Sequence, residues 1–379
     1  MASQRILVLA TSTGGGNWPP LAAVTVDLHQ AGHTVQCFGD PTIAQDFASA
    51  GIALKVVPAQ DTMRTFFEQW FAAGASGPSP LRAWAEACLP AVRELVSHFE
   101  PRLILSELFT MPLARLTKEA CGLRWCHVNP GYYFGTDSQR PFETDYIGPP
   151  GIINRGELTH AAGEADLVLH GTDPLFDPPP PSLPQHHHYV GPLWWERSNE
   201  VPAYLDVPGA PWVLVTVSSA PQPGEMTLAR TALRTLAAFP LRAVLTLTAR
   251  HPRDELGPVP ANARLEEFVS HSEVLKRCCL LVSHAGHGVV TKALFYGVPM
   301  VLVPWDRDQP GVAARAAALG VAEVIARHDL TEQRLSAAIH RVLASTRYRE
   351  NAARIAGRMQ ARDAVALARA RIEELLATT

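Results

Sequence analysis

Short apolar runs alternate with amphipathic stretches along the whole chain. In the first half, the apolar runs predict strands at residues 5–10, 34–38, 52–57, 103–105, 125–128 and 167–170. Helical patterns at residues 42–50, 81–98 and 111–120 lie between them, and Pro19-Pro20 opens a further helix that runs to Ala31. Strands that alternate with helices through short connections predict a parallel, doubly wound sheet.

The second half repeats this plan. Strands are predicted at residues 212–217, 243–247, 280–283, 300–303 and 321–325, and helices at residues 331–343 and 348–376 close the chain. The break between the halves falls in residues 191–211, whose prolines and tryptophans are typical of a linker. We therefore expect two Rossmann-like α/β domains that face each other across a cleft, residues 1–195 and 205–355.

Composition narrows the class of protein. Of 379 residues, 47% are hydrophobic and 18% are charged, which favours a large core over disorder. A net charge of −3 excludes the basic footprint of a general nucleic-acid binder. No apolar run is long enough for a membrane span, and the run at residues 6–10 is too short for a signal peptide. A cytoplasmic protein is expected.

The cysteines and histidines lack the spacing of a metal site. The six cysteines form no CxxC pair and are interpreted as reduced core thiols. His186, His187 and His188 are adjacent, but no acidic or thiol ligand is nearby, and a solvated loop is predicted there. We therefore expect no metal site here, and separately we expect no cofactor.

The segment 282–294 has the pattern of a phosphate-binding turn between a strand and a helix. Gly286 and Gly288 permit close backbone approach, the free amides at the helix start form an anion site, and His284 can bond the same anion. A tight turn without a ligand is the alternative. Downstream, Asp308-Gln309 follows a buried strand, where a carboxylate and an amide suit the paired hydroxyls of a sugar.

Residues 284–320 resemble the donor-binding signature of the nucleotide-sugar glycosyltransferases of the UDP-glycosyltransferase superfamily, especially bacterial natural-product enzymes. The positions in register are His284, Gly286, Gly288, Ala293, Leu294, Gly297-Val298-Pro299, Asp308-Gln309-Pro310, Ala314 and Gly320. The resemblance extends more weakly over the whole chain. It implies the two-domain GT-B fold, with residues 356–379 returning to the N-terminal domain. It also implies metal-independent, inverting transfer of a sugar from a UDP- or dTDP-sugar to a small-molecule acceptor.

The resemblance assigns donor-binding roles to one set of residues. His284 and the amides of residues 286–289 would hold the diphosphate, and Asp308 with Gln309 would bind the donor sugar. The full set is Ser219, Phe268, Val269, His284, Gly286, His287, Gly288, Val289, Lys292, Asp308 and Gln309.

Within that set, Phe268 would flank the nucleobase and the Val269 backbone would read it. Two members depart from the family, because Val289 replaces a threonine or serine and Lys292 replaces a glutamate. Lys292 could pair with phosphate or be solvated. The loss of the glutamate gives weak support to a dTDP-sugar donor.

The acceptor side departs further from the family. The family's first β–α loop reads G-H-x-x-P, and its histidine is the general base, whereas this chain has Gly16-Asn17-Trp18-Pro19-Pro20. The amide of Asn17 cannot accept a proton near neutral pH. The family's supporting aspartate is also absent, with Ser106-Glu107 in its place.

Three explanations stay open. Another carboxylate acts as the base, with Glu107 first and Asp137 second, or the acceptor needs little activation, or the protein transfers no sugar. For Glu107, the alternative is a carboxylate paired with an arginine. Aromatic residues of the N-terminal half predict a pocket for a lipophilic or aromatic acceptor, with core packing as the alternative: Trp18, Phe66, Trp70, Trp84, Tyr132 and Tyr133.

We therefore expect a glycosyltransferase of the hexosyltransferase class. The main alternative is a catalytically inactive nucleotide-sugar-binding helper protein. A sugar-nucleotide epimerase and a dinucleotide oxidoreductase are weaker alternatives, the latter because Pro19 occupies the last glycine position of the GxGxxG spacing. The oligomeric state stays open, with a homodimer as one option.

Overall fold

The computed structural model describes residues 2–11, 16–58, 62–75, 79–131, 162–198 and 200–378. They form two compact units. Unit 1 holds the described residues up to Trp195 together with those from Asp363 onward, and unit 2 runs from Glu196 to Arg362. Each unit is built on one parallel sheet. The predicted fold class, two parallel α/β domains, is therefore confirmed.

The described residues of unit 1 form a parallel sheet of seven strands in the order β3-β2-β1-β4-β5-β6-β7. The strands are β1 (Arg5–Ala10), β2 (Thr34–Gly39), β3 (Ala53–Val56), β4 (Leu103–Ser106), β5 (Arg124–Asn129), β6 (Leu167–His170) and β7 (His187–Tyr189). The helices, numbered in chain order through both units, are α1 (Trp18–Gln30), α2 (Ala44–Ser49), α3 (Met63–Ala72), α4 (Pro80–Phe99), α5 (Met111–Cys121) and α12 (Ala364–Ala377).

The two faces of this sheet carry separate cores, because side chains alternate along each strand. On β1, Ile6 and Val8 pack in a cluster with residues of α1, α2 and α12. Leu7 and Leu9 pack on the other face, in a cluster with residues of α3, α4 and α5. Burial on both faces explains why the strands read as continuous apolar runs in the sequence.

The described residues of unit 2 form a parallel sheet of six strands in the order β10-β9-β8-β11-β12-β13. The strands are β8 (Trp212–Thr216), β9 (Arg242–Thr246), β10 (Ala263–Glu266), β11 (Cys278–Ser283), β12 (Met300–Leu302) and β13 (Ala322–Val324). The helices are α6 (Met226–Leu236), α7 (His271–Leu275), α8 (His287–Phe295), α9 (Gln309–Ala318), α10 (Glu332–Ala344) and α11 (Thr346–Gln360).

The C-terminal segment corrects one prediction. The single helix expected at residues 348–376 is two helices, because the chain breaks after α11 and Asp363 caps α12 by accepting from the Ala366 amide at 3.0 Å. α12 belongs to unit 1, where Arg369 forms an ion pair with Asp27 of α1 at 3.0 Å.

The histidine run corrects a second prediction. Residues 187–189 are not a solvated loop but the edge strand β7. His187 is buried, and its Nδ1 lies 3.0 Å from Nε2 of His170 on β6. Within the described ranges, no cluster of histidine, cysteine, aspartate or glutamate could hold a metal ion. None of the six cysteines, all of which the structure describes, forms a disulfide. No helix in the described part of the chain is both long and apolar enough to cross a bilayer.

Candidate functional site

The strand order of unit 2 reverses between β8 and β11, which pair although β9 and β10 lie between them in sequence. Ligands of doubly wound sheets bind at such a reversal, outside the carboxyl ends of the strands. Three connections leave this edge side by side: residues 217–225 (the β8 loop), residues 284–286 (the glycine turn) and residues 303–308 (the β12 loop). They bring donor-site candidates from distant parts of the sequence to one place.

The glycine turn leaves amide groups at the start of α8 without protein acceptors. Gly286 is the N-cap of α8, and the first helical bond runs from the Val290 amide to the Gly286 carbonyl at 3.1 Å. Among the described residues, the amides of Gly288 and Val289 have no acceptor. Ala285 has a φ of 69°, a left-handed conformation that costs a non-glycine residue about 1–2 kcal/mol. The turn therefore presents unpaired N–H groups to an anion.

His284 packs against this turn as a neutral side chain. It is 7% exposed, and its Nδ1 lies 3.4 Å from the Thr216 carbonyl oxygen and 3.3 Å from Ser283 Oγ. A Cβ on residue 286 would lie 2.5 Å from His284 Nε2, so only glycine leaves room for the ring. Burial lowers the pKa of His284 to about 4. At neutral pH, His284 is thus a hydrogen-bonding group and not a cation.

Lys292 is not solvated, and its charge is already paired. It forms an ion pair with Glu196, and the two side chains are 12% and 8% exposed. Glu196 also accepts from the Ser270 hydroxyl and from the Ser272 amide at 3.3 Å, at the start of α7. The prediction of a solvated Lys292 is wrong. For Lys292 to pair with phosphate, as the alternative prediction has it, the phosphate would have to compete with the Glu196 carboxylate.

The β12 loop uses one of its two predicted sugar ligands for its own structure. Gln309 Oε1 accepts from the amides of Trp305 at 2.8 Å and Asp306 at 2.9 Å. Asp308 is the N-cap of α9, but its carboxylate makes no capping bond. Burial raises the pKa of Asp308. The Asp308 oxygens are therefore available to a ligand hydroxyl, while Gln309 can offer its NH₂ group.

An exposed aromatic ring follows β10 at the same sheet edge. Phe268 is 55% exposed, and the Arg197 guanidinium carbon lies 5.8 Å from its ring centroid. The neighbouring Val269 is buried at 7% exposure. Phe268 is thus not a core residue, and its open face is suited to stacking on a planar group.

The remaining donor-site candidates differ in exposure. Ser219 is exposed in the β8 loop. The His287 ring is buried within the packing of α8, with Nδ1 3.4 Å from Thr291 Oγ1, and burial lowers its pKa to about 4. Of the two, only Ser219 presents its side chain at the surface.

The sequence pattern did not predict a buried carboxylate that shapes the β8 loop. Glu225 is 1% exposed and accepts from the amides of Ser218 at 3.2 Å and Gln222 at 2.9 Å. His251 Nε2 donates to the same carboxylate at 3.2 Å, and Thr248 Oγ1 lies 3.0 Å from His251 Nδ1. No local motif signals this cluster, because its members follow two different strands, β8 and β9.

Glu107 lies where the strand order of unit 1 reverses, between β1 and β4. It is fully buried, and its Oε2 accepts from the Phe109 amide at 2.8 Å, in a capping box with Thr110. Among the described residues, Oε1 has no partner and no arginine pairs with the carboxylate, so the alternative of an arginine pair is wrong. Burial raises the pKa of Glu107 to about 8.

The first β–α connection of unit 1 places Asn17 just before α1, without a capping bond from its side chain. Trp18 is half-buried and packs on the α1 face of the sheet. Its ring centroid lies 5.5 Å from that of Trp195 and 6.1 Å from that of Phe47. Trp18 thus contributes to the packing of unit 1.

Two other acceptor-site aromatics, Trp84 and Phe66, pack on the opposite face of the sheet from Trp18. Trp84 is fully buried, Trp70 is 7% exposed, and Phe66 is partly buried against the same core cluster. The prediction that Trp84 lines an acceptor pocket is therefore wrong, because it is a core residue. Tyr132, Tyr133 and Asp137 lie outside the described residues.

Comparison with known proteins adds independent findings. Residues 230–375, which include the glycine turn and the β12 loop, match the family model for the C-terminal domain of erythromycin biosynthesis protein CIII-like proteins. The 4'-demethylrebeccamycin synthase of Lentzea aerocolonigenes is 32% identical over 233 residues, which is 58% of this chain and 52% of that protein. The chain thus spans about half the length of this curated relative.

Two solved structures have the same fold. The glycotransferase of kitacinnamycin superposes with a TM-score of 0.75 at 21% identity, over 97% of each chain. The spinosyn rhamnosyltransferase SpnG, complexed with thymidine diphosphate, superposes with a TM-score of 0.70 at 19% identity, over 97% of this chain and 99% of that one. At this identity the similarity shows the fold, which is that of GT-B glycosyltransferases.

Proposed function

We propose that this chain is a glycosyltransferase of the UDP-glycosyltransferase superfamily; the match of residues 230–375 to the erythromycin biosynthesis protein CIII-like C-terminal domain and the similarity to 4'-demethylrebeccamycin synthase support this. The protein transfers a sugar from a UDP- or dTDP-sugar to a small lipophilic or aromatic acceptor in natural-product or glycolipid biosynthesis. The reaction inverts the configuration at the anomeric carbon and needs no metal ion.

One observation carries this proposal: the glycine turn lies at the strand-order reversal of unit 2, and its Gly288 and Val289 amides have no acceptor in the described part of the chain. A diphosphate fits such amides because they donate hydrogen bonds at the positive end of a helix. The unused Asp308 carboxylate in the adjacent β12 loop can bind sugar hydroxyls. The exposed ring of Phe268 can stack on the nucleobase.

The reaction is a direct displacement. The acceptor oxygen forms a bond to the anomeric carbon while the bond from that carbon to the diphosphate oxygen breaks. The electron pair of the broken bond leaves with the nucleoside diphosphate. Amides that already point at the leaving group stabilise the charge that develops on it and need no reorganisation.

Glu107 is the proposed base that takes the acceptor proton. Its Oε1 lacks a partner among the residues that the structure describes, and burial raises its pKa to about 8, as expected of a carboxyl group that exchanges protons near neutral pH. Since Glu107 is fully buried, the acceptor must approach Oε1 on the side that protein contacts leave unsatisfied. Asn17 positions the acceptor hydroxyl and does not deprotonate it.

The helper-protein alternative is separated from the transferase by product release. Purified protein is mixed with UDP- or dTDP-sugars and a panel of aromatic and lipophilic acceptors, and nucleoside diphosphate is quantified. A transferase releases nucleoside diphosphate only with an acceptor and forms glycosylated product in equal amount. Binding of the nucleotide without release under any acceptor supports the helper, and no binding of either nucleotide refutes both.

The Gly286→Ala variant ties the result to the glycine turn. The new Cβ would displace His284, so affinity for UDP or dTDP is expected to fall about tenfold to a hundredfold. Gly357→Ala is the matched control in the same unit, since a Cβ there meets nothing within 4 Å. Equal nucleotide affinity in the two variants would mean that the glycine turn is not part of the nucleotide-binding site.

A further inference from the structure

The negative charge of a bound diphosphate has no cation among the side chains that the sequence pattern indicates. His284 is neutral, because burial lowers its pKa to about 4. Lys292 is paired with Glu196. The amides at the start of α8 supply only partial charges. A further positive group at this edge of the sheet would complete the site.

Arg307 has the required position. It follows β12, yet its Nη2 donates to the carbonyl of Ala220 in the β8 loop at 3.3 Å. β11 lies between β8 and β12 in the sheet. The side chain therefore crosses the end of β11, where the glycine turn begins α8. Burial is the main cause of the lowered pKa of His284, and the Arg307 charge adds to it, which is consistent with a guanidinium near the ring.

Arg307 acts on a neighbouring carboxyl group without forming an ion pair with it. Burial raises the pKa of Asp308, and the Arg307 charge opposes that rise. Among the described residues, no carboxylate lies within ion-pair distance of its guanidinium. Within the same residues, its side chain donates only to the backbone carbonyl of Ala220. An arginine has five N–H donors, so most of them are available. Its backbone is held in a left-handed conformation with a φ of 61°, and its amide donates to Asp306 Oδ1 at 2.8 Å. Such strain in a non-glycine residue is typical of functional sites.

The β8 loop beneath Arg307 supplies a second observation. Gln222 is 8% exposed, and neither the Oε1 nor the Nε2 atom of its side chain has a partner among the described residues. Arg250 also donates to this loop, at the Ser219 carbonyl. The loop thus combines a buried polar side chain that lacks a protein partner with two arginines from flanking connections.

We propose that Arg307 is the cation that binds the diphosphate of the nucleotide sugar, over the amides of the glycine turn. The planar guanidinium can bond two oxygens of a phosphate group at once, which an ammonium group cannot do with the same geometry. A diphosphate bound in this way does not require protonation of His284.

This inference rests on the proposed function, and one set of titrations separates the two. Calorimetry measures the affinity of UDP and dTDP for the wild type, Arg307→Gln, Arg307→Lys and Arg327→Gln. Competition titrations, in which uridine or thymidine displaces the bound nucleoside diphosphate, measure the affinity of the nucleosides. Arg327 is the matched control, because it is exposed, carries the same charge and donates to the Trp305 carbonyl of the same loop at 3.3 Å.

Arg307→Gln should weaken UDP or dTDP binding at least about tenfold and leave nucleoside binding within about twofold. Arg307→Lys should be intermediate, and Arg327→Gln should bind like the wild type. If the wild type binds a nucleoside diphosphate and Arg307→Gln binds it equally well, the inference fails and the proposed function stands. An equal loss of nucleoside and diphosphate binding in Arg307→Gln also overturns it, since that indicates a disturbed fold. If the wild type binds neither nucleotide, both fail.

Discussion

The two units each bury a glutamate beside the strand-order reversal of their sheet, and protein contacts satisfy the two carboxylates to different extents. In unit 2, Glu225 accepts three hydrogen bonds, from Ser218, Gln222 and His251. In unit 1, Glu107 accepts from Phe109 through Oε2 and takes part in a capping box with Thr110, but its other oxygen, Oε1, has no partner among the described residues. The two glutamates are therefore equally buried but differ in how many of their carboxylate oxygens have hydrogen-bond partners.

The difference indicates two different roles. A buried carboxylate whose oxygens are all bonded is part of the scaffold, because hydrogen bonds repay its desolvation. Glu225 thus fixes the β8 loop. A buried carboxylate with one bonded oxygen prefers to be protonated, and burial raises the pKa of Glu107 to about 8. Such a group can exchange a proton with a substrate.

The largest effect is expected for Glu225→Ala. The variant leaves the Ser218 and Gln222 amides and the His251 ring without their acceptor, so the free energy of unfolding should fall by about 3–5 kcal/mol. Urea denaturation followed by circular dichroism measures it. Glu86→Ala is the control, since Glu86 forms an exposed pair with Arg82 at 2.9 Å and should cost less than about 1 kcal/mol. Similar losses in both variants would end the distinction between scaffold and surface carboxylates.

A smaller effect is expected for Glu107→Gln. If Glu107 is the base, turnover should fall at least about tenfold. With a pKa of about 8, the carboxyl group must lose its proton to act, so wild-type turnover should rise with pH up to about 8. The variant should lose this rise. Initial rates of nucleoside diphosphate release between pH 6 and 9 provide the measurement, and wild-type rates in the variant would discard Glu107 as base.

The same variant has a stability signature that does not require activity. The folded pKa of Glu107 lies above the unfolded value of about 4.3, so its contribution is fully present below that value and is lost as pH rises through about 8. Between pH 5 and 8, the wild type should therefore lose more stability than Glu107→Gln. Thermal unfolding across this range compares the two slopes, and parallel slopes would mean that the carboxyl group is not held protonated.

The donor edge could be predicted where neighbouring residues determine it. β11 ends at Ser283 and α8 begins at His287, so strand, glycine turn and helix are encoded within a short segment whose pattern is visible in the sequence. The same holds for the connection after β12, where Asp308 occupies the N-cap position of α9. Local periodicity also predicted most strands, because a sheet buried on both faces requires continuous apolar runs.

Contacts between distant residues could not be predicted. Glu196 is 96 positions from Lys292, and Ala220 is 87 positions from Arg307. Nothing in the local pattern indicates which carboxylate or carbonyl a given cation will meet once the sheet is formed. The aromatic residues show the same limit, because a tryptophan such as Trp84 has the same helical spacing whether it lines a pocket or fills the core.

The smallest effect is expected where unit 2 has already neutralised its own charge. In the double variant Lys292→Met with Glu196→Gln, a buried ion pair is replaced by neutral groups of similar size, which is often nearly neutral for stability. Since the pair carries no net charge, the affinity of the double variant for UDP or dTDP, measured by calorimetry, should change by less than about threefold. Lys292→Met alone leaves the Glu196 carboxylate buried without its cation and should destabilise the protein. A loss in the double variant as large as that of Arg307→Gln would mean that Lys292 shares its charge with the diphosphate, and that the cation at this sheet edge is not Arg307 alone.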